Sequence, residues 1–388
     1  MIAVARRMPS ILGLLLGFAA FEAGHLEAPQ ELANEGYRKM WQGDASAAEW
    51  FRRAAEADPA MPYRWSDLAV ALSNSGDTKQ RELARYCFGK SLELGPASPQ
   101  LTFRAASFHF ENGEAPPGLE LGSRVLAETS EFDEMVFSAY RQFGGGEEQI
   151  RRLGIGANRR AAESYFRYLA GRGDRAEASE MWRWLETAKN ATVPQARFWA
   201  DWLLRHDAPA AASEVWQRHL AAGYQPGNRV FEGGFEGWSG GEAGQEARSF
   251  DWQTSEFPGV HISRDLKTAH TGAASLRLDF TQAENVDFHH VGQRLWLNPG
   301  RYRLTAWVRT DRFSTDEGLR LRVEDGGLTR DTESLTGTND WTPVAAAFTV
   351  SAPAHMVWLR LHRAPSWNFE NRPRGTVWVD DVVLRELP

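Results

Sequence analysis

The sequence has a single cysteine, Cys87, which excludes an internal disulfide and any cysteine-cluster zinc site. It has no strong excess of either charge. Its 44 basic and 51 acidic side chains give a net charge of -7, with no basic arm, so nucleic acid is not an expected partner. No apolar run reaches the roughly 20 residues of a bilayer-spanning helix. No HExxH-type pattern accompanies the histidines, which argues against zinc catalysis. What is present in quantity is tryptophan, sixteen residues divided evenly between the first 225 positions and the rest. The 42% apolar and 24% charged content fits packed domains, and 388 residues exceed one ordinary core.

Residues 1–24 read as a signal peptide or signal anchor. Arg6 and Arg7 precede the apolar run Ile11–Phe21, the build of an export signal. Ala20 and Ala23 are each preceded at minus three by a phenylalanine, a poor cleavage context, so a retained anchor stays open, as does a buried first helix. The expected location is exported: periplasm, cell envelope or outside the cell. Membrane contact is expected only if the segment stays uncleaved.

Residues 30–225 repeat internally. Ser179-Glu180-Met181-Trp182 recurs as Ser213-Glu214-Val215-Trp216, a shift of 34 that also brings Leu169 onto Leu203 and Tyr168 onto Trp202. Phe51-Arg52-Arg53-Ala54 with Pro59 matches Phe88-Gly89-Lys90-Ser91 with Pro96 at a shift of 37, the extra residues fitting an enlarged turn at Asp77-Thr78-Lys79. Trp65, Leu68, Ala69 and Leu72 have helical spacing, and Gly76-Asp77 closes that helix. Each unit reads as two helices that bury their stripes by stacking on neighbours, which places Trp182, Trp199, Trp202 and Trp216 in a core. The stretch Glu114–Gly156, with Pro116-Pro117 and Gly144-Gly145-Gly146, is irregular. On Trp65, Leu68, Ala69, Gly76, Phe88 and Pro96, and on Ala47, Phe51, Ala54 and Pro59, the region resembles tetratricopeptide repeats. That resemblance implies a helical solenoid engaging a protein partner.

After Gly223–Asn228 the pattern changes to period two. Leu276, Leu278 and Phe280 share a face, as do Leu304, Ala306 and Val308, and likewise Val357, Leu359 and Leu361. Turns such as Asn298-Pro299-Gly300 and Asp325-Gly326-Gly327 separate the strands. Residues 228–388 therefore read as an antiparallel β-sandwich of the jelly-roll kind, and the whole chain as a multidomain α plus β protein. The landmarks Gly233–Trp238, His270–Leu276, Pro299–Arg309, Asn339–Thr342 and Gly375–Val382 resemble, in order, galactose-binding-like jelly rolls. They resemble in particular carbohydrate-binding modules of the family four, nine and twenty-two type. The resemblance implies a structural calcium held by Glu236 and Asp380 with main-chain carbonyls. Asp380 shares strand parity with Val382 and Leu384, and an inward carboxylate there needs a cation or donors. Capping of the strand end or pairing with an arginine remain alternatives.

The outward strand positions carry Arg294 and Trp296; Arg303, Thr305, Trp307 and Arg309; Arg320 and Arg322; and Trp358, Arg360 and His362. Indoles stack on pyranose rings, and guanidinium pairs with carboxylates, so this array suits a glycan, acidic ones in particular. It equally suits a docking face for the helices or a loop. His289 and His290 precede a strand and point to opposite sides if the backbone is extended. Trp367, in the loop Pro365–Asn371, is a further ligand candidate.

The reading is an exported, non-catalytic binding and scaffold protein of bacterial type. Its repeats would engage a protein and its sandwich a polysaccharide. The alternative is an interaction scaffold that binds no sugar. A glycoside hydrolase built on Glu232 with Glu236, or Glu324 with Asp325, is less favoured, because no pocket-forming domain accompanies those carboxylates.

Overall fold

The structure is a computed structural model that describes residues 28–73, 77–238, 250–369 and 371–388. The leader at 1–24 and the turn residue Gly76 lie outside the described residues. The described chain divides between Ala188 and Lys189 into two compact units.

The first unit is helical. Its helices are α1 (Pro29–Trp41), α2 (Ala47–Ala57), α3 (Pro62–Ser73), α4 (Thr78–Leu94), α5 (Pro99–Glu111), α6 (Ala115–Glu128), α7 (Asp133–Phe143), the short α8 (Glu147–Gln149), α9 (Arg159–Gly171) and α10 (Arg175–Thr187). Consecutive helices pack as pairs: α1 with α2, α3 with α4, α5 with α6, α9 with α10. Side-chain oxygens of Asp77, Ser98, Asn158 and Asp174 accept N–H bonds from the first turns that follow, fixing where those helices start. Asp77 is thus the cap of α4, and Thr78 and Lys79 belong to its first turn. Phe51, Leu68, Ala69, Phe88 and Phe108 form one continuous core.

The irregular stretch is helical as well. Pro116 and Pro117 sit in the first turn of α6, where a missing N–H costs nothing. A single turn of π-helix, Ile150–Ile155, follows α8. Tyr140 is wholly buried there between Gly122 and Gly154, either of whose places a Cβ would close, and its hydroxyl donates to the carbonyls of Leu119 and Gly154.

The second unit joins α11 (Val193–Arg205) and α12 (Pro209–His219) to two sheets. The strands are β1 (Gln253–Thr254), β2 (Val260–Asp265), β3 (Ser275–Thr281), β4 (Phe288–Leu297), β5 (Gly300–Ser314), β6 (Arg320–Glu324), β7 (Thr329–Asp331), β8 (Gly337–Val350), β9 (His355–Arg363) and β10 (Arg374–Leu387). One sheet has the order β1-β4-β9-β6-β7 and the other β2-β3-β10-β5-β8, and every pairing is antiparallel. We call them the β9 sheet and the β10 sheet. Inward residues of both, including Leu278, Leu304, Val308, Leu321, Leu359 and Val379, fill one core.

The helix pair is fastened to this sandwich. Trp216 of α12 meets Phe231 edge-on at 5.3 Å, and Arg197 of α11 lies over Trp216 while pairing with Asp251 at 3.1 Å. The fully buried Gln293 of β4 accepts from the Phe231 N–H at 3.0 Å and donates to its carbonyl at 2.8 Å.

Candidate functional site

The outward residues fall on two opposite faces, because β5 belongs to the β10 sheet and β4, β6 and β9 to the other. Trp307 and Arg309 therefore stand apart from Trp296, Trp358, Arg360 and His362.

On the β10 sheet the rings are covered. Trp307 is stacked by the imidazole of His270, and Trp341 meets that imidazole edge-on. Trp378 carries the guanidiniums of Arg277 and Arg309 at 5.4 and 5.7 Å and donates from Nε1 to Asp265 at 2.8 Å.

The β9 sheet presents cross-strand rows, each set by the register. Trp296 lies opposite Met356. Next come Arg294, Trp358 and Glu324, then Gly292, Arg360, Arg322 and Asp331, and finally His362 and Arg320. Gly292 is required in the third row. A Cβ there would come within 2.9 Å of the Arg360 stem and 3.5 Å of the Trp358 ring, so both lie low over the bare backbone. Arg294 and Arg360 sit 4.9 and 4.2 Å from the Trp358 centroid, and this cation–π packing fixes the indole.

The arginines are matched by carboxylates. Arg322 holds Asp331 through two parallel bonds of 2.7 and 2.8 Å, Arg360 pairs with Glu324 at 2.8 Å, and Arg320 with Glu317 at 2.6 Å. The bond from Arg322 holds the Asp331 carboxyl below its ordinary value. Arg294 is left with no carboxylate partner among the described residues. The excess of positive charge expected for an acidic ligand is thereby mostly cancelled. Burial lowers the His362 imidazole, with Arg322 adding to the effect. The carboxylates weighed for hydrolysis are engaged too: Glu324 by Arg360, Asp325 by His355 at 2.6 Å, and Glu232 by the Gly237 N–H at 2.8 Å.

His289 and His290 do not point to opposite sides. A register shift between Phe288 and Val291 breaks the alternation, and the two rings stack at 4.6 Å. His289 is exposed beside Asp287, at 3.8 Å.

Trp367 projects from the β9–β10 loop and is 99% exposed. Ser366 and Asn285 exchange two bonds, and Ser366 and Asn368 both donate to Asp316, so the loop beneath the ring is tied down.

Asp380 is buried, but not on the core side with Val382 and Leu384. A bulge follows it, with Asp381 at φ +47°, and the alternation shifts there. Asp380 faces outward opposite Trp307, beneath the β2–β3 loop. Its Oδ2 accepts from the His270 and Thr271 N–H groups at 2.7 and 3.2 Å, and Oδ1 accepts from Asp381 at 2.7 Å. Burial nevertheless pushes its carboxyl up to about 6. Glu236 Oε1 accepts from Ala273 and Ala274. The two carboxylates flank Gly234, whose Cβ position is 3.8 Å from Asp380 Oδ1 and 3.9 Å from Glu236 Cγ. Glu236 Oε2 and a lone pair of Asp380 Oδ1 have no bond in this network. Among the described residues no group of three His, Cys, Asp or Glu is placed to hold a metal, so a hard cation here would need main-chain carbonyls and water for its other ligands.

Sequence reasoning did not single out Asp331 and Glu317, which balance the face. Asp331 lies in a three-residue strand too short to show alternation. The i,i+3 spacing of Glu317 and Arg320 was a usable signal.

No family model matches the chain, and no curated protein matches it either. Solved structures do. The CBM22-1 xylan-binding domain of Xyn10C from Paenibacillus barcinonensis is 14% identical, covering 35% of this chain and 85% of its own, with a TM-score of 0.25. TmCBM61, solved with β-1,4-galactotriose, is 19% identical over 41% of this chain and 99% of its own, TM-score 0.28. The Yersinia enterocolitica type III secretion chaperone SycD, solved with a peptide of the translocator YopD, is 20% identical over 31% and 91%, TM-score 0.27.

Proposed function

We propose that the protein is an exported, non-catalytic binding protein whose sandwich holds a polysaccharide on the outer face of the β9 sheet. On this reading its helices engage a protein partner. The observation that carries the proposal is the set of fixed Arg–carboxylate pairs laid out in rows beside Trp296 and Trp358. A sugar hydroxyl both donates and accepts, so a guanidinium and a carboxylate already oriented side by side can each take one role. The donors and acceptors are held by their own pairing, so binding orders few side chains. Because the charges cancel, the favoured guest is a hydroxyl-rich, neutral chain rather than a polyanion. Trp296 supplies an indole at one end, and Arg294 an unpaired donor next to it.

Calcium at Glu236 and Asp380 belongs to the same proposal. Those residues would hold the ion, whose service there is structural: it ties the start of the sandwich to its last strand.

Affinity electrophoresis of the full chain against a panel of neutral and acidic polysaccharides tests the reading. Retention by a neutral polysaccharide should fall at least tenfold on Trp296→Ala and on Arg360→Ala. Absence of retention by every polysaccharide removes the glycan role. The scaffold reading without sugar draws on one observation, the two guanidiniums over the Trp358 ring. It is favoured if those substitutions leave all retention unchanged.

A further inference from the structure

We infer that the β9–β10 loop is a membrane-contact tip, and that its partner is the headgroup region of a bilayer containing anionic lipid. Trp367 and Phe369 are 99% and 102% exposed, more than any other large apolar side chain among the described residues, Trp41 at 87% coming next. Singly scattered apolar side chains are ordinary surface, but two large rings two residues apart at full exposure form a patch of the kind that marks an interaction site. Here Ser366 and Asn368, on either side of Trp367, are held by five side-chain hydrogen bonds among Asn285, Asp316, Ser366 and Asn368, and the buried Arg363 donates to the Asn371 carbonyl at 3.2 Å. Asp316 is held below its ordinary value by those donors, Ser366 first.

The shape selects the partner. A sugar or peptide subsite needs a wall, or free polar groups beside the ring. The Asn285 and Asn368 amides are turned into the loop, and full exposure leaves both rings without a flanking surface. A bilayer interface requires neither. It accepts a convex tip, and indole and phenyl rings partition to headgroup depth. The adjoining Arg372 and Arg374 are both exposed, set against Glu370 in the same stretch and Asp316 beneath it, whose carboxylate is taken up by Ser366 and Asn368. Arginines so placed attract anionic lipid. Two rings give a weak, reversible contact that orients the protein rather than anchoring it.

Flotation of the full chain with phosphatidylcholine vesicles, with and without phosphatidylglycerol, tests this inference. Any contribution of the leader is common to all variants. Vesicle-bound protein should fall roughly tenfold in a Trp367→Ala, Phe369→Ala double variant. It should be retained in Trp367→Tyr, and lose its phosphatidylglycerol dependence in Arg372→Ala, Arg374→Ala. The thermal midpoint should not move, since neither ring is buried. Equal flotation of wild type and double variant overturns the inference, as does loss of polysaccharide retention in place of vesicle binding. The β9-sheet face is untouched by these substitutions, so failure here leaves the glycan reading standing.

Discussion

The imidazole of His270 lies 3.9 Å from the Trp307 ring centre, with the two planes 15° apart. His270 is held there by a 2.6 Å bond from Nδ1 to Asp381 and by its own N–H bond to Asp380. This stack closes one face of the Trp307 indole and joins the β2–β3 loop to the β10 sheet.

Trp307→Ala should therefore act on stability and not on ligand. Removing a half-buried indole should cost about 2 kcal/mol, less than for a core tryptophan. Urea denaturation reads the loss, and polysaccharide retention should match wild type. A drop in retention with unchanged stability would move the binding face to the β10 sheet.

The charge balance of the β9 sheet makes a second prediction. Glu324→Gln with Asp331→Asn strips two carboxylates from the rows while leaving the arginines. The face then becomes cationic. Retention by a uronate-containing polysaccharide should rise roughly tenfold at low salt and fade as salt is added. Retention by a neutral polysaccharide should fall, because oriented acceptors are gone.

Asp380 governs a third. Its carboxyl lies at about 6 in the folded protein against an ordinary 3.8. Ionisation thus opposes folding: the penalty is absent below about pH 4 and complete above about pH 6, at most about 3 kcal/mol. In calcium-free buffer, acidifying from pH 7 to 5 should stabilise wild type relative to Asp380→Asn. His290 and His362, both lowered by burial, lose stability over the same acid range, and comparison with the variant cancels them. Added calcium should raise the wild-type melting temperature at pH 7 and leave Asp380→Asn unmoved. Differential scanning calorimetry with and without a chelator measures both effects.

The fourth concerns Gln293. Gln293→Leu leaves the Phe231 N–H and carbonyl buried without partners, at a cost of about 2 to 4 kcal/mol. Chemical denaturation should show that loss, together with increased protease cutting near Phe231.

The sequence made the strands legible because Leu276, Leu278 and Phe280, or Val357, Leu359 and Leu361, keep strict alternation over one shared core. It made the repeated helices legible because Trp182 and Trp216 occupy equivalent buried places on α10 and α12. Alternation assigns a residue to one side of its own strand and no further. It could not tell that Trp307 and Trp358 lie on different sheets, since sheet membership follows from topology. Nor could it foresee that His270, far away in the chain, covers one of them. The bulges at His289-His290 and at Asp381 escaped for a related reason. Each inserts one residue and inverts the parity of everything beyond it, so Asp380 read as inward when it faces out. The pairing of Arg322 with Asp331 depends on a short edge strand that carries too few residues to announce itself.

The clasp of Trp216, Phe231 and Arg197 bears on where the chain can be cut. A fragment begun near residue 228 would carry Phe231 stripped of its aromatic neighbour and Asp251 stripped of its cation, and should clump when expressed. One begun at Lys189 carries its own cover, and although longer is the piece to take forward for crystals.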